Sequence, residues 1–162
     1  DLFVRRSGDL LEMDFPANPP VPCRNAPELL RTSLGRSPIE VLSADVYVAV
    51  FDNESTIRAM RPDHSLLRHL DLRAVVVTAP GKDVDFVSRY FAPKMGIPED
   101  PVTGAAHCKL APYWANRLGK DRLTAKQVSR RGGDLICEMK GDRVLISGSA
   151  VTVMETKLSF EE

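Results

Sequence analysis

An α+β class is predicted from three observations. Apolar and β-branched runs short enough to be strands number about eight, against two or three helical stretches. These runs cluster instead of alternating with helices, so a doubly wound sheet is not expected. One apolar stripe, recurring at every fourth residue, marks a principal helix.

The elements follow in order. Leu2-Phe3-Val4 and Leu10 to Phe15 flank a Ser7-Gly8-Asp9 turn and read as a β-hairpin. The stretch from Pro16 through Pro22, with Pro19-Pro20 inside it, lacks ladder donors and reads as a linker. Residues 1–21 are therefore set apart as hairpin and linker, and residues 22–162 as the main domain. Asn25 is the expected cap of a helix over 26–34, stopped by Gly35. Strands are expected over 39–43 and 46–51, and the stretch 56–60 stays open between a helical turn and a short strand. Asp63 caps a helix running through Leu66, Leu67 and Leu70. Strand signals return over 72–78 and 84–91, and a loop over 92–98 leads to Asp100-Pro101. Ala106, Leu110, Trp114 and Leu118 form the helical stripe, which ends at Gly119. Short strands close the chain over 123–129, 135–139, 144–147 and 150–155, the first two joined across Arg131-Gly132-Gly133.

Composition narrows the function. Lys+Arg and Asp+Glu stand at 22 each, for a net charge of zero, so a phosphate-neutralising nucleic-acid binder is excluded. With 43% hydrophobic and 27% charged residues the chain is an ordinary globular one. Its three cysteines, Cys23, Cys108 and Cys137, show neither CxxC nor metal-ligand spacing, so no metal site or disulfide framework is expected. Apolar runs such as 74–80 are far below the ~20 residues of a membrane span. No signal peptide is read at the start, and the expectation is a soluble, cytoplasmic protein without membrane partner. A first residue other than Met suggests a piece of something longer.

The chemistry concentrates in Phe91-Ala92-Pro93-Lys94-Met95-Gly96-Ile97-Pro98-Glu99-Asp100-Pro101-Val102-Thr103-Gly104-Ala105-Ala106-His107. It reads as a strand, a tight loop and a helix N-terminus, with Asp100 as cap and Pro101 at the first helical position. Gly104, Ala105 and Ala106 carry little side chain, so a ligand can reach the first-turn amides. Those amides and the helix dipole suit a carboxylate. A purely structural reading has Asp100 only capping and the small residues only packing. His107 is read either at the cleft or packed on the sheet. His64 and His69 are read as surface residues, and Trp114 as core. Arg131 belongs first to a hairpin turn, with a second reading in which it meets a carboxylate.

The run from Gly96 to His107 closely resembles the signature of the phenazine-biosynthesis isomerase-like (PhzF-like) family. So do Met13-Asp14-Phe15-Pro16-Ala17, the run from Asp85 to Pro93, and Arg131-Gly132-Gly133. The resemblance implies a diaminopimelate-epimerase-like fold of two pseudo-symmetric lobes, each a curled, mostly antiparallel sheet around a central helix. It implies an isomerase or epimerase that moves a proton on a small carboxylated metabolite in a biosynthetic setting, with no cofactor and no metal. A first-lobe glutamate and a second-lobe aspartate do this work in the family, and Asp100 matches the aspartate. Thr103, Gly104, Ala105, Ala106, His107 and Arg131 are the substrate-binding candidates on the same ground.

Thr103 stands where related epimerases place a cysteine, which removes two-thiol chemistry, and Cys108 does not replace it. Ala105 stands where family members usually carry Ser. None of the glutamates stands in the context of the family's catalytic one. The chain is therefore expected to be the second lobe plus the last hairpin of the first, a half-length isomerase. The alternative is a non-catalytic carboxylate-binding or dimerising module. A homodimer is the expected assembly, since an orphan lobe exposes the face that its partner would cover.

Overall fold

The computed structural model describes residues 3–157. Leu2, expected at the start of the hairpin, lies outside them. Among the described residues the strands are β1 (Phe3–Ser7), β2 (Leu10–Pro16), β3 (Val21–Pro22), β4 (Glu40–Ser43), β5 (Tyr47–Val50), β6 (Val75–Pro80), β7 (Phe86–Ala92), β8 (Ile97–Asp100), β9 (Arg122–Gln127), β10 (Gly133–Lys140) and β11 (Arg143–Gly148). They form one sheet in the order β1-β2-β11-β10-β9-β7-β6-β5-β4-β3, with β8 paired to β7 off that path. Only β5–β6 and β7–β9 are parallel.

The helices are α1 (Glu28–Leu34), α2 (Glu54–Ala59), α3 (His64–Leu67) and α4 (Gly104–Leu118). Side-chain alternation on the strands divides two cores. On β7, Phe86, Tyr90 and Ala92 face the cluster holding Ala106, Leu110, Ala111 and Trp114 of α4. Val87 and Phe91 face the opposite cluster with Leu30, Leu34, Ile57, Met60 and Leu67 of the three shorter helices. The α4 cluster takes Leu42 of β4 at one end and Ile146 of β11, with Met13 and Phe15 of β2 packed on it, at the other. One sheet reaches a single helix from both ends only by curling around it. The α+β class, with a curled, mostly antiparallel sheet on a central helix, is what the structure shows.

Local chemistry explains most boundaries. Asp63 accepts from the amides of Ser65 and Leu66, as expected of a cap. Gly35 and Gly119 end α1 and α4 at φ of 65° and 67°, the left-handed conformation that closes helices. Asn25 does not cap α1: the N-cap is Pro27, which makes no side-chain cap bond, and the helix starts at Glu28. The open stretch near residue 56 is helix α2, because Asn53 accepts from the Thr56 amide.

Two expectations are corrected. The last expected strand, over 150–155, has no regular structure and is exposed. The free side of β11 that it would need is taken by β2, in register from Arg143↔Pro16 to Gly148↔Leu11. The proline-rich stretch is likewise not all linker, since Val21–Pro22 pair with Ser43 and Leu42 of β4. Among the described residues no helix is long and apolar enough to cross a membrane.

Candidate functional site

β7 ends at Ala92, a 3₁₀ turn over Pro93–Met95 reverses the chain, and β8 returns antiparallel to β7. Tyr90 pairs with Asp100 and Ala92 with Ile97, with a register shift between them. This pairing keeps the chain extended through Asp100, so the helix begins later than the sequence suggests. The cap expected at Asp100 and the helical start expected at Pro101 are both corrected: Thr103 is the N-cap and Gly104 the first helical residue.

Thr103 makes no side-chain cap bond. Its hydroxyl donates to Asp100 Oδ2 instead. The side chain that would close the first turn of α4 is thus turned onto the carboxylate, leaving that turn without a side-chain cap. Ala106 N–H donates to Thr103 O at 3.2 Å, which leaves Gly104 and Ala105 as the amides nearest the open end. Ala105 is exposed, Gly104 half-buried. A Cβ placed on Gly104 would find Met13 Cε at 3.8 Å and Phe15 Cε2 at 3.9 Å, so β2 walls this end of the helix.

Ala106 and His107 point the other way, into the core. His107 Nδ1 lies 2.8 Å from Thr103 O, and the ring packs 5.9 Å from Phe86, which stacks on Trp114. Burial lowers its pKa to about 4, so the imidazole is neutral at pH 7 and Nδ1–H donates to the carbonyl. Of the two positions open to His107, the structure selects packing on the sheet. His64 is only half-buried, its ring edge-on to Phe91 at 5.9 Å, whereas His69 is exposed.

Sequence reasoning missed Gln127. It is fully buried at the end of β9, where it receives the Thr103 N–H on Oε1 at 2.9 Å. Its Nε2 lies 2.8 Å from Asp100 O and 3.1 Å from Thr103 Oγ1. The signal was present in the period-two alternation of Leu123, Ala125 and Gln127, all buried, on one face of the strand.

Arg89 is a second residue that the sequence pattern does not single out. It is 8% exposed and holds Glu99 with two bonds of 2.7 and 2.9 Å while donating to the carbonyls of Ile57 and Met60. Glu99 is thereby committed to the α2 side of the sheet, and Asp100, its neighbour on β8, to the α4 side.

Arg131 is exposed and lines a surface depression of about 510 Å³ with Pro98, Glu99, Pro101, Ser129 and Arg130. Its loop is keyed to the motif: Ser129 Oγ donates to Pro101 O at 2.7 Å and accepts from Gly132 N–H at 3.0 Å. The depression is lined by Glu99 and not by Asp100, so Arg131 stands beside the motif without joining the Asp100 network.

Burial raises the thiol pKa of Cys108, and that of Cys137 to about 12, so neither is a thiolate nucleophile at neutral pH. Among the described residues no group of three or more His, Cys, Asp or Glu converges as a metal site would require. The arrangement offers one carboxylate, a hydroxyl aimed at it and an uncapped helix end. That set suits proton transfer on a bound anion.

Comparison with known proteins gives three findings. A family model described as phenazine biosynthesis-like protein matches residues 10–156. An uncharacterized isomerase of Pseudomonas aeruginosa is 52% identical over 158 residues, covering 98% of this chain and 61% of that protein. Crystal structures of a PhzF-family phenazine biosynthesis protein from Enterococcus faecalis and of a putative phenazine biosynthesis PhzC/PhzF protein from Clostridium difficile are 42% and 38% identical. They superpose with TM-scores of 0.87 and 0.90, covering 90% and 98% of this chain and 56% and 61% of theirs. The chain thus spans about 60% of the length of the curated relatives it matches.

Proposed function

This chain belongs to the phenazine biosynthesis-like (PhzC-PhzF) family, and from that premise we propose that it serves a cofactor-independent isomerase acting on a small carboxylated metabolite. In this reading Asp100 is the acid/base group of the lobe. One carboxylate oxygen, Oδ2, is occupied by the Thr103 hydroxyl, and Oδ1 takes a proton as a C–H bond breaks. Asp100 then returns that proton to another carbon, or keeps it while a second acid/base group on the opposite side of the substrate delivers a proton of its own to the other face of the same carbon. The Gly104 and Ala105 amides hold the substrate's carboxylate. Ala105 supplies no hydroxyl, so the amides and the helix dipole carry that contact.

The observation that carries the proposal is the pairing of the Asp100 carboxylate with the uncapped start of α4, both set by Thr103. The second acid/base group, which the family places on a first-lobe glutamate, comes from outside this lobe. A homodimer is the proposed assembly, in which the second copy brings its own Asp100 and not that glutamate to a shared cleft, in the cytoplasm, where the three free cysteines stay reduced.

Deuterium uptake from D₂O at carbon, followed by NMR over a panel of small unsaturated carboxylic and dicarboxylic acids, tests this reading. A positioned acid/base contributes about 10²–10⁴-fold, so Asp100→Asn should slow exchange at least a hundredfold. Equal exchange in both proteins removes Asp100 from the mechanism. The absent hydroxyl at Ala105 favours a second reading, a carboxylate-binding module without turnover. Calorimetric binding of a dicarboxylate with no exchange in any panel member would select it.

A further inference from the structure

We infer that Gln127 is a positioning residue: it fixes the direction of the Thr103 hydroxyl so that Asp100 is always presented as the acceptor. The inference rests on the reading of Asp100 as the acid/base group.

The argument is one of elimination along a chain of partners. Gln127 Oε1 receives the Thr103 backbone N–H, which can only donate. Gln127 Nε2 reaches the Asp100 carbonyl, which can only accept. Both ends of the amide are therefore assigned by groups of fixed role, since a flipped amide would set donor against donor and acceptor against acceptor. Nε2 has a second proton, and its second contact is Thr103 Oγ1 at 3.1 Å, so that oxygen accepts. Thr103 has a single hydroxyl proton, which is then left for Asp100 Oδ2.

The polarity runs from Gln127 through Thr103 to Asp100 and cannot reverse without breaking a bond to the backbone. Full burial of Gln127 keeps water from substituting for any of its partners. The same side chain ties β9 to the end of β8 and to the cap residue of α4, so it also fixes the distance between carboxylate and helix end. The Thr103–Asp100 bond joins carboxylate and cap directly, and Gln127 holds both of its ends from β9. The first turn of α4 has no side-chain cap, and His107 holds the Thr103 carbonyl from the core side.

The test reads the two side-chain amide protons of Gln127 by NMR in ¹⁵N-labelled protein. In the wild-type chain both should exchange slowly with solvent. In Thr103→Val, which removes the hydroxyl but keeps the backbone amide, one of the two should shift and exchange at least tenfold faster while the other stays. Thr103→Ser should restore the wild-type pair. Two protons that exchange in the wild type like those of an exposed glutamine overturn the inference even if Thr103→Val does not fold. So does a pair that moves together, or not at all, in a folded Thr103→Val.

This readout needs no substrate, so it stands apart from the deuterium-uptake test of Asp100. Where a panel member exchanges, Gln127→Met should lower the rate at saturating substrate about tenfold and leave its affinity unchanged. A fall in affinity with an unchanged rate also overturns the positioning role. Exchange that survives in Asp100→Asn overturns the proposed function and leaves the wiring as measured.

Discussion

The backbone N–H of Asn18 donates to the carbonyl of Cys108 at 2.9 Å. Cys108 stands four residues before Pro112, which lies inside α4 and has no N–H to offer that carbonyl. A proline in a helix interior ordinarily costs ~3 kcal/mol, part of it through this orphaned acceptor. Here the segment after β2 supplies the missing donor and is tied to α4 by doing so. Native-state hydrogen exchange should find the Asn18 amide as protected as the core of α4, although its neighbours Pro16 and Pro19 are exposed. Asn18→Ala should leave this protection intact and change stability by no more than ~0.5 kcal/mol, since it removes only the exposed 3.3 Å contact with Asp45. Rapid exchange at Asn18 would show that the carbonyl is satisfied otherwise.

Arg89→Met should destabilise the fold by about 3–5 kcal/mol in urea titration, the usual cost of stripping one partner from a buried pair. The loss has two parts: Glu99 is left without its guanidinium, and the carbonyls of Ile57 and Met60 lose their donor. Arg89→Met with Glu99→Leu should recover the first part only. Arg89→Lys should not rescue, because an ammonium cannot span a two-pronged carboxylate and two carbonyls at once. A stable Arg89→Lys would sink the argument.

His107 makes stability depend on pH. Its folded pKa, lowered to about 4 by burial, lies below the 6.5 of an unfolded chain, so between these values the unfolded state binds more protons. Stability from this residue is complete above pH 6.5 and drains away as pH falls toward 4, by a total of about 3 kcal/mol. Urea midpoints at pH 7, 6, 5 and 4 should decline in the wild-type chain more steeply than in His107→Gln. Parallel declines would mean that another group titrates in that window.

What was legible in the sequence was local. Ala106, Leu110 and Trp114 are buried on α4 as their spacing demands, and Asp63 caps as its neighbours require. Leu118 continues the stripe on paper yet is 44% exposed, because a four-residue step overshoots the helical turn by about 40° each time. The site was legible as a motif and illegible as a network. Asp100 looked like a cap because Asp-Pro before a helix usually is one, and only the pairing of β8 with β7, set by Tyr90, keeps it extended. Gln127 sits 24 residues beyond Thr103, and no spacing rule joins a strand end to a helix cap on another element.

Two glycines of the site should respond in opposite ways to alanine. At Gly133 a Cβ would fall 2.4 Å from Val102 Cγ2 and 3.3 Å from Cγ1, and a valine has no flexible end to withdraw. Gly133→Ala should cost ~1–3 kcal/mol, and Val102→Ala in the same chain should return part of it. At Gly104 the nearest atoms stand at 3.8 and 3.9 Å, an ordinary contact, and alanine favours a helix over glycine by up to ~1 kcal/mol. Gly104→Ala should therefore leave stability equal or higher. Its methyl group, however, stands between the wall of β2 and the first-turn amides, so calorimetric affinity for a dicarboxylate should fall tenfold or more. A stable Gly104→Ala that binds as the wild type does would move the carboxylate away from this helix end.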